Sequence, residues 1–153
     1  MNIEELAAFL NESNKATYAN KSAKKVVSAR LGSEDYHFEK GKLAYHDTYF
    51  GSRDFIGEEI VYEQEKPVWG ANYFGFILDS KTREEDVYDF LRTALMQVHN
   101  DKIPVRGPKR FIQGNKQYTF VVEGDLSNFS GDEQISFDGK IVYHCKIHGG
   151  NII

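Results

Sequence analysis

The sequence predicts an α+β protein made by internal duplication, in which a helix plus a four-stranded antiparallel sheet occurs twice with pseudo-two-fold symmetry. Three observations predict it. Two amphipathic helical stripes each precede a run of short strand-like segments; residues 55–75 (FIGEEIVYEQEKPVWGANYFG) and 129–149 (FSGDEQISFDGKIVYHCKIHG) align without a gap; and the helical pairs Phe9-Leu10 and Phe90-Leu91 correspond. Features recurring in the same order are the mark of a repeated unit. On this reading the chain is a single domain of two similar halves, about 1–78 and 79–153.

Ile3, Leu6, Ala7 and Leu10 recur at helical spacing, and Asn2 with Glu5 supplies an N-terminal cap, so the chain opens with a helix. Residues 15–34 carry Lys15, Lys21, Lys24, Lys25 and Arg30 with no acid before Glu34, and read as a solvated connector. Tyr36 to Leu78 is rich in Tyr, Phe, Val and Ile and is punctuated at Lys40-Gly41, Phe50-Gly51 and Glu65-Lys66-Pro67, the pattern of four strands. Thr82 with Glu85 forms a capping-box signature, and Val87, Phe90, Leu91, Ala94, Leu95 and Val98 form the apolar stripe of a second helix. After a Pro-containing loop, Ile103 to Lys109, short strands return from Phe111 to Ile147, with turns at Gln113-Gly114-Asn115 and Asp138-Gly139.

The formal charge of -4 and a pI near 5.7 oppose contact with phosphate backbones and anionic membranes. The N-terminal MNIEELAAFLNESN is acidic and too polar for a secretory signal, which points to the cytoplasm, and a lone cysteine, Cys145, fits a reducing compartment. Cys145 alternates with Tyr143 and Ile147 and reads as a small core residue. His144 and His148, four apart in a strand, lie roughly 13 Å apart, too far to chelate one metal. Neither a metal nor an organic cofactor is expected.

Aligning the halves assigns strand faces. Phe55 matches Phe129, Gly57 matches Gly131, Glu59 matches Glu133 and Gly75 matches Gly149; upstream, Tyr45 matches Tyr118 and Gly51 matches Gly124. Glu133 alternates with Phe129, Ile135 and Phe137, so it and Glu59 should project among apolar neighbours. A carboxylate there is either a tuned acid or base or an acceptor for a nearby hydroxyl that fixes a bend. Asp47 shares a face with Leu43, Tyr45 and Tyr49, whereas its counterpart is the apolar Phe120. With Tyr49, Trp69 and Tyr73 on the same expected face, Asp47 has aromatic walls suited to a small-molecule pocket, or to satisfaction by a tyrosine hydroxyl. Arg106, in IPVRGPKR, is an anion fork that clamps a carboxylate or stays solvated in a turn. The candidate ligand-binding residues are therefore Asp47, Tyr49, Glu59, Trp69, Asn72, Tyr73, Arg106 and Glu133.

The segments Asp47-Thr48-Tyr49-Phe50-Gly51, Pro67-Val68-Trp69, Asn72-Tyr73, Arg106-Gly107-Pro108 and Val142-Tyr143 ahead of His148-Gly149-Gly150 resemble an uncharacterised family of small bacterial proteins classed as a domain of unknown function. Members of that family sometimes follow a phage-repressor-type helix-turn-helix, which implies an effector-sensing or partner-binding role. This chain starts directly at its first helix, which puts direct DNA contact in doubt, and has Ser52 where relatives show a second glycine. Three functions are carried forward: a cytoplasmic binding or sensory module for a small molecule or protein partner, a small enzyme using a buried carboxylate as general acid or base, and a protein-protein adaptor or inhibitor.

Overall fold

The computed structural model describes residues 2–99 and 101–153. Their elements run α1 (Ile3–Ala16), β1 (Glu34–Lys40), β2 (Leu43–Gly51), β3 (Phe55–Glu63), β4 (Lys66–Ile77), α2 (Glu84–Leu95), β5 (Arg110–Gln113), β6 (Lys116–Asp125), β7 (Asn128–Phe137) and β8 (Lys140–Asn151). Local chemistry accounts for most boundaries. The Asn2 side chain accepts a bond from the Glu5 amide at 2.7 Å and starts α1, with Glu4 and Glu5 in the first turn where the helix dipole favours acids. Gln64-Glu65 and Asp138-Gly139 adopt positive φ, the requirement of the tight turns that join β3 to β4 and β7 to β8.

The expected internal duplication, a helix plus a four-stranded antiparallel sheet occurring twice with pseudo-two-fold symmetry, is corrected. All the strands form one eight-stranded antiparallel sheet in the order β1-β2-β3-β4-β8-β7-β6-β5, and both helices cover the same face. β4 and β8 pair continuously from Trp69 opposite Asn151 to Ile77 opposite Tyr143. The physical reason lies in the edges: a separate four-stranded sheet would leave β4 and β8 with open rows of backbone donors and acceptors, and pairing them removes both. Small residues at the seam allow close approach; a Cβ on Gly149 would stand 2.3 Å from the Gly70 carbonyl oxygen. Side-chain alternation reports the face of a strand and carries no information about which edges meet.

The helix-bearing face holds one apolar cluster, in which Leu10, Val61, Trp69, Leu91, Tyr118, Ile135 and Ile147 are essentially inaccessible to water. Val87, Phe90, Leu91, Ala94 and Leu95 of α2 are buried as the helical spacing requires. Two expectations for α2 fail. Thr82 does not cap it: the N-cap is Arg83 without a side-chain bond, and the Thr82 amide donates to the Asp79 carbonyl at 3.0 Å in the preceding turn. Val98 lies beyond the last turn and is exposed. Cys145 is buried on β8, and burial pushes its thiol up to about 12.

The connector between α1 and β1 reaches the sheet through a bridge between Val26 and Asp35. Asp35 accepts from Ser33 at 2.5 Å, Thr48 at 2.8 Å and the His46 ring at 2.7 Å. Burial would raise its pKa, but these bonds outweigh it and hold the carboxyl at about 2. The connector's cations meet acids: Lys21 with Asp89, Lys25 with Glu34 and Arg30 with Glu58.

Trp69 anchors the inner face, with its ring stacked on Phe129 at 5.9 Å between centroids and its Nε1 donating to the Leu126 carbonyl at 2.8 Å. Trp69→Phe leaves that buried carbonyl without its donor and should destabilise the protein by about 1–3 kcal/mol in urea unfolding followed by circular dichroism. An unchanged midpoint would show that the indole bond contributes nothing.

Candidate functional site

Two buried charge centres meet on the inner face beneath the helices. The first is built on the loop after α2. Asn14 of α1 donates to the Val105 carbonyl at 3.2 Å, Nε2 of His99 contacts the Arg106 carbonyl at 3.1 Å, and the Gly107 amide donates to the Tyr118 hydroxyl at 3.0 Å. Val105 is fully buried. So held, Arg106 points inward and grips Glu133 of β7 with two bonds, Nε to Oε1 at 2.9 Å and Nη2 to Oε2 at 2.8 Å. The Tyr118 and Tyr143 hydroxyls donate to the same carboxylate at 2.8 and 2.9 Å. Burial alone would lower the Arg106 pKa; Glu133 beside it more than reverses this.

The second centre is a pair of carboxyl groups. Asp47 on β2 and Glu59 on β3 are directly opposite in the antiparallel register and both inward-facing, with relative exposures of 3% and 2%. On β6 and β7, Phe120 stands opposite Glu133. The Tyr73 hydroxyl donates to Asp47 Oδ1 at 2.6 Å. Gly57 makes this bond possible: it lies between Tyr49 and Tyr73 in the ladder, and a Cβ there would come within 2.4 Å of the Tyr73 hydroxyl. Without it the phenol lies across β3 and reaches Asp47 on the next strand. Glu59 is less well served, because its Oε2 is buried with no hydrogen-bond partner. Burial raises both carboxyls, Asp47 to about 6 against the pull of the Tyr73 bond and Arg106, and Glu59 to about 8, helped by the neighbouring Asp47 charge. Near neutral pH the pair holds about one proton, as two close carboxylates must.

Above this floor lies a cavity of about 580 Å³ between α1, α2 and the β1–β4 half of the sheet. Of the residues expected to bind a ligand, Asp47, Tyr49, Glu59, Tyr73 and Arg106 line it. Glu133 sits behind Arg106 and Trp69 packs on Phe129, both outside the lining. Asn72 is exposed on the opposite face, where its register partners are Glu58 and His148. Alternation with inward Trp69, Ala71 and Tyr73 already places it outside.

Sequence reasoning missed the contributions of α2 and of the segment after α1, Tyr18, Glu84, Tyr88 and Arg92 among them, and that of Phe55 at the start of β3. One signal was present: Glu84, Tyr88 and Arg92 recur every four residues along α2, a polar-aromatic stripe beside the apolar one. Tyr88 also ties the mouth together, donating to the Arg53 carbonyl at 2.7 Å, while the Arg53 guanidinium bonds the carbonyls of Asp79 at 2.6 Å and Thr82 at 3.1 Å. Among the described residues no group of three or more His, Cys, Asp or Glu side chains is placed to hold a metal ion, and no helix is long and apolar enough to cross a membrane.

Fold and site together define an α+β protein with a ligand-sized cavity floored by buried carboxyl groups. Residues 47–152 match the family described as a domain of unknown function (DUF5680), and the chain belongs to that family. No curated protein and no solved structure matches it.

Two outcomes follow from the charge centres. Glu133→Gln leaves the Arg106 guanidinium buried without a counter-charge and should cost about 3–5 kcal/mol in urea unfolding; a loss below about 1 kcal/mol would mean that water reaches the arginine. Asp47 and Glu59 hold protons to higher pH when folded than when unfolded, so the stability they contribute is complete below the ordinary carboxyl range. It is lost as pH rises through about 6 for Asp47 and about 8 for Glu59. Stability should therefore fall between about pH 5 and pH 9 by an amount on the order of a few kcal/mol, read as a falling thermal midpoint, and Glu59→Gln should flatten the upper part of that fall. A midpoint that rises over this range contradicts the assignment.

Proposed function

We propose that the protein is a cytoplasmic binding or sensory module that takes a small molecule into the cavity between α1, α2 and the β1–β4 face. The observation that carries this is the unequal filling of one sheet. Over β5–β7 the inner face is packed, with Phe90 against Phe111 and Phe137 at 5.7 and 6.5 Å and Phe120 opposite Glu133. Over β1–β4 a space of about 580 Å³ is kept, within the range of small-molecule sites, walled by aromatic rings and provided with a few convergent polar groups. Protein interiors close such spaces unless something occupies them. The sensory part of the proposal draws on the family resemblance, and the cytoplasmic part on the acidic composition and lone cysteine.

The acid-base reading keeps one specific support: Asp47 and Glu59 are adjacent, border the cavity and have their pKa values driven apart, the arrangement that lets one group donate while the other accepts. Binding and turnover are separated by recovering the ligand.

A thermal-shift screen against a metabolite collection tests the proposal, with Ser52→Trp as the control. Ser52 is exposed at the cavity mouth, so the variant should fold and obstruct entry. Ligands at a hundredfold excess over Kd should stabilise the wild type by about 2.7 kcal/mol and the variant far less. Recovery of the ligand unchanged supports a binding module, and its chemical conversion supports the enzyme. A silent screen, or shifts undiminished in Ser52→Trp, would remove the cavity from consideration.

A further inference from the structure

We infer that the cavity takes a small organic cation, a protonated amine with an aromatic or other apolar body, whose ammonium group meets Glu59 and Asp47 on the floor. The inference rests on the small-molecule reading above and specifies the ligand's charge.

Among the described residues, the buried side-chain atoms of the wall that lack a hydrogen-bond partner are carboxyl oxygens. Glu59 Oε2 on the floor and Glu84 Oε1 at the start of α2 are buried without a partner, and both residues line the cavity. A buried carboxyl oxygen with no partner is unfavourable in the empty protein; Glu59, which keeps its proton near neutral pH there, gives it up when an ammonium group brings N–H donors and a positive charge. Asp47 stands opposite Glu59 with the Tyr73 hydroxyl as donor, and the pair keeps about one negative charge near neutral pH with Arg106 nearby.

Arg106 is a buried cation at that depth, and its orientation argues against an anionic ligand. Its Nε and Nη2 are committed to Glu133, whose two oxygens also accept from Tyr118 and Tyr143. An incoming carboxylate or phosphate would find two of the three guanidinium nitrogens already committed to Glu133. At the rim, Lys21 is paired with Asp89, Lys25 with Glu34, and Arg92 lies 3.7 Å from Asp89.

The walls fit the same class. Tyr18, Tyr45, Tyr49, Phe55, Tyr73 and Tyr88 surround the space, and aromatic faces attract cations. Two of these rings already do so within the protein: the Arg92 guanidinium lies 4.8 Å from the Tyr18 centroid and the Lys25 ammonium 5.8 Å from that of Tyr49.

The test uses the full chain and isosteric probes that differ in charge: tryptamine, tryptophol and indole-3-acetate, with 2-phenylethylamine, 2-phenylethanol and phenylacetate as a smaller set, titrated by calorimetry. The amines should bind at least about tenfold more tightly than the alcohols, and the acids most weakly. Glu59→Gln should weaken the amines about tenfold or more and leave the alcohols nearly unchanged; should that variant fail to fold, Glu84→Gln at the half-buried rim serves, with a smaller loss confined to the amines. Alcohols or acids binding as well as amines, or amine affinity indifferent to both substitutions, would overturn the cation inference and leave the small-molecule reading standing. Amines that fail to bind a protein for which the broad screen finds neutral or anionic ligands do the same, whereas silence in both experiments removes both readings.

Discussion

A guanidinium cut off from water is tolerable only where a carboxylate meets it fully, and Glu133 does this for Arg106 through two parallel bonds while two tyrosine hydroxyls complete the carboxylate. The geometry extends well beyond the pair. Arg106 belongs to a loop with no regular structure, so its inward course depends on the Asn14, His99 and Tyr118 contacts and on the burial of Val105. That loop joins α2 to β5, and Asn14 lies on α1. The loop that carries this pair thus touches α1, continues from α2 and meets the sheet, and its Val105 and Arg106 line the cavity.

The same pair shapes the electrostatics of its neighbours. Asp47 and Glu59 feel Arg106 as a stabilising charge, though a partly neutralised one because Glu133 lies against it, and burial dominates for both. Their carboxyls are therefore held at the border between charged and neutral near physiological pH. Asp47 stands opposite Glu59 on β2 and β3, whereas Glu133 on β7 has the apolar Phe120 opposite it, so acidity is concentrated at the first pair. An unpartnered oxygen such as Glu59 Oε2 lowers the stability of the empty protein, and sites that bind or react are where such deficits persist.

How much of this was legible depended on whether the signal was local. The inward course of Glu59, Asp47 and Glu133 follows from period-two alternation, and Asn2 announces α1 by its own side chain. The fate of Arg106 was open, because a loop residue has no periodicity and only the position of Glu133, far along the chain, decides whether it is a clamp or a solvated surface group. The joining of β4 to β8 was equally out of reach, since backbone edges have no side-chain signature. Thr82 misled for a related reason: Asp79 draws its amide into a turn before it can cap α2. The helix contribution to the cavity was half visible, in the stripe of Glu84, Tyr88 and Arg92, but a stripe does not say which wall it will face.

Gly57 shows how these levels connect. Its missing side chain lets the Tyr73 phenol lie flat over β3, and that phenol is the donor that keeps Asp47 more acidic than Glu59. Any larger residue would displace the ring and cost Asp47 its tyrosine donor. The Asp47 carboxyl would then rise further toward that of Glu59, and the division of the floor into one charged and one neutral group would narrow. The division thus depends on a backbone position with no functional group at all, since only a residue without a Cβ leaves the phenol its path to Asp47.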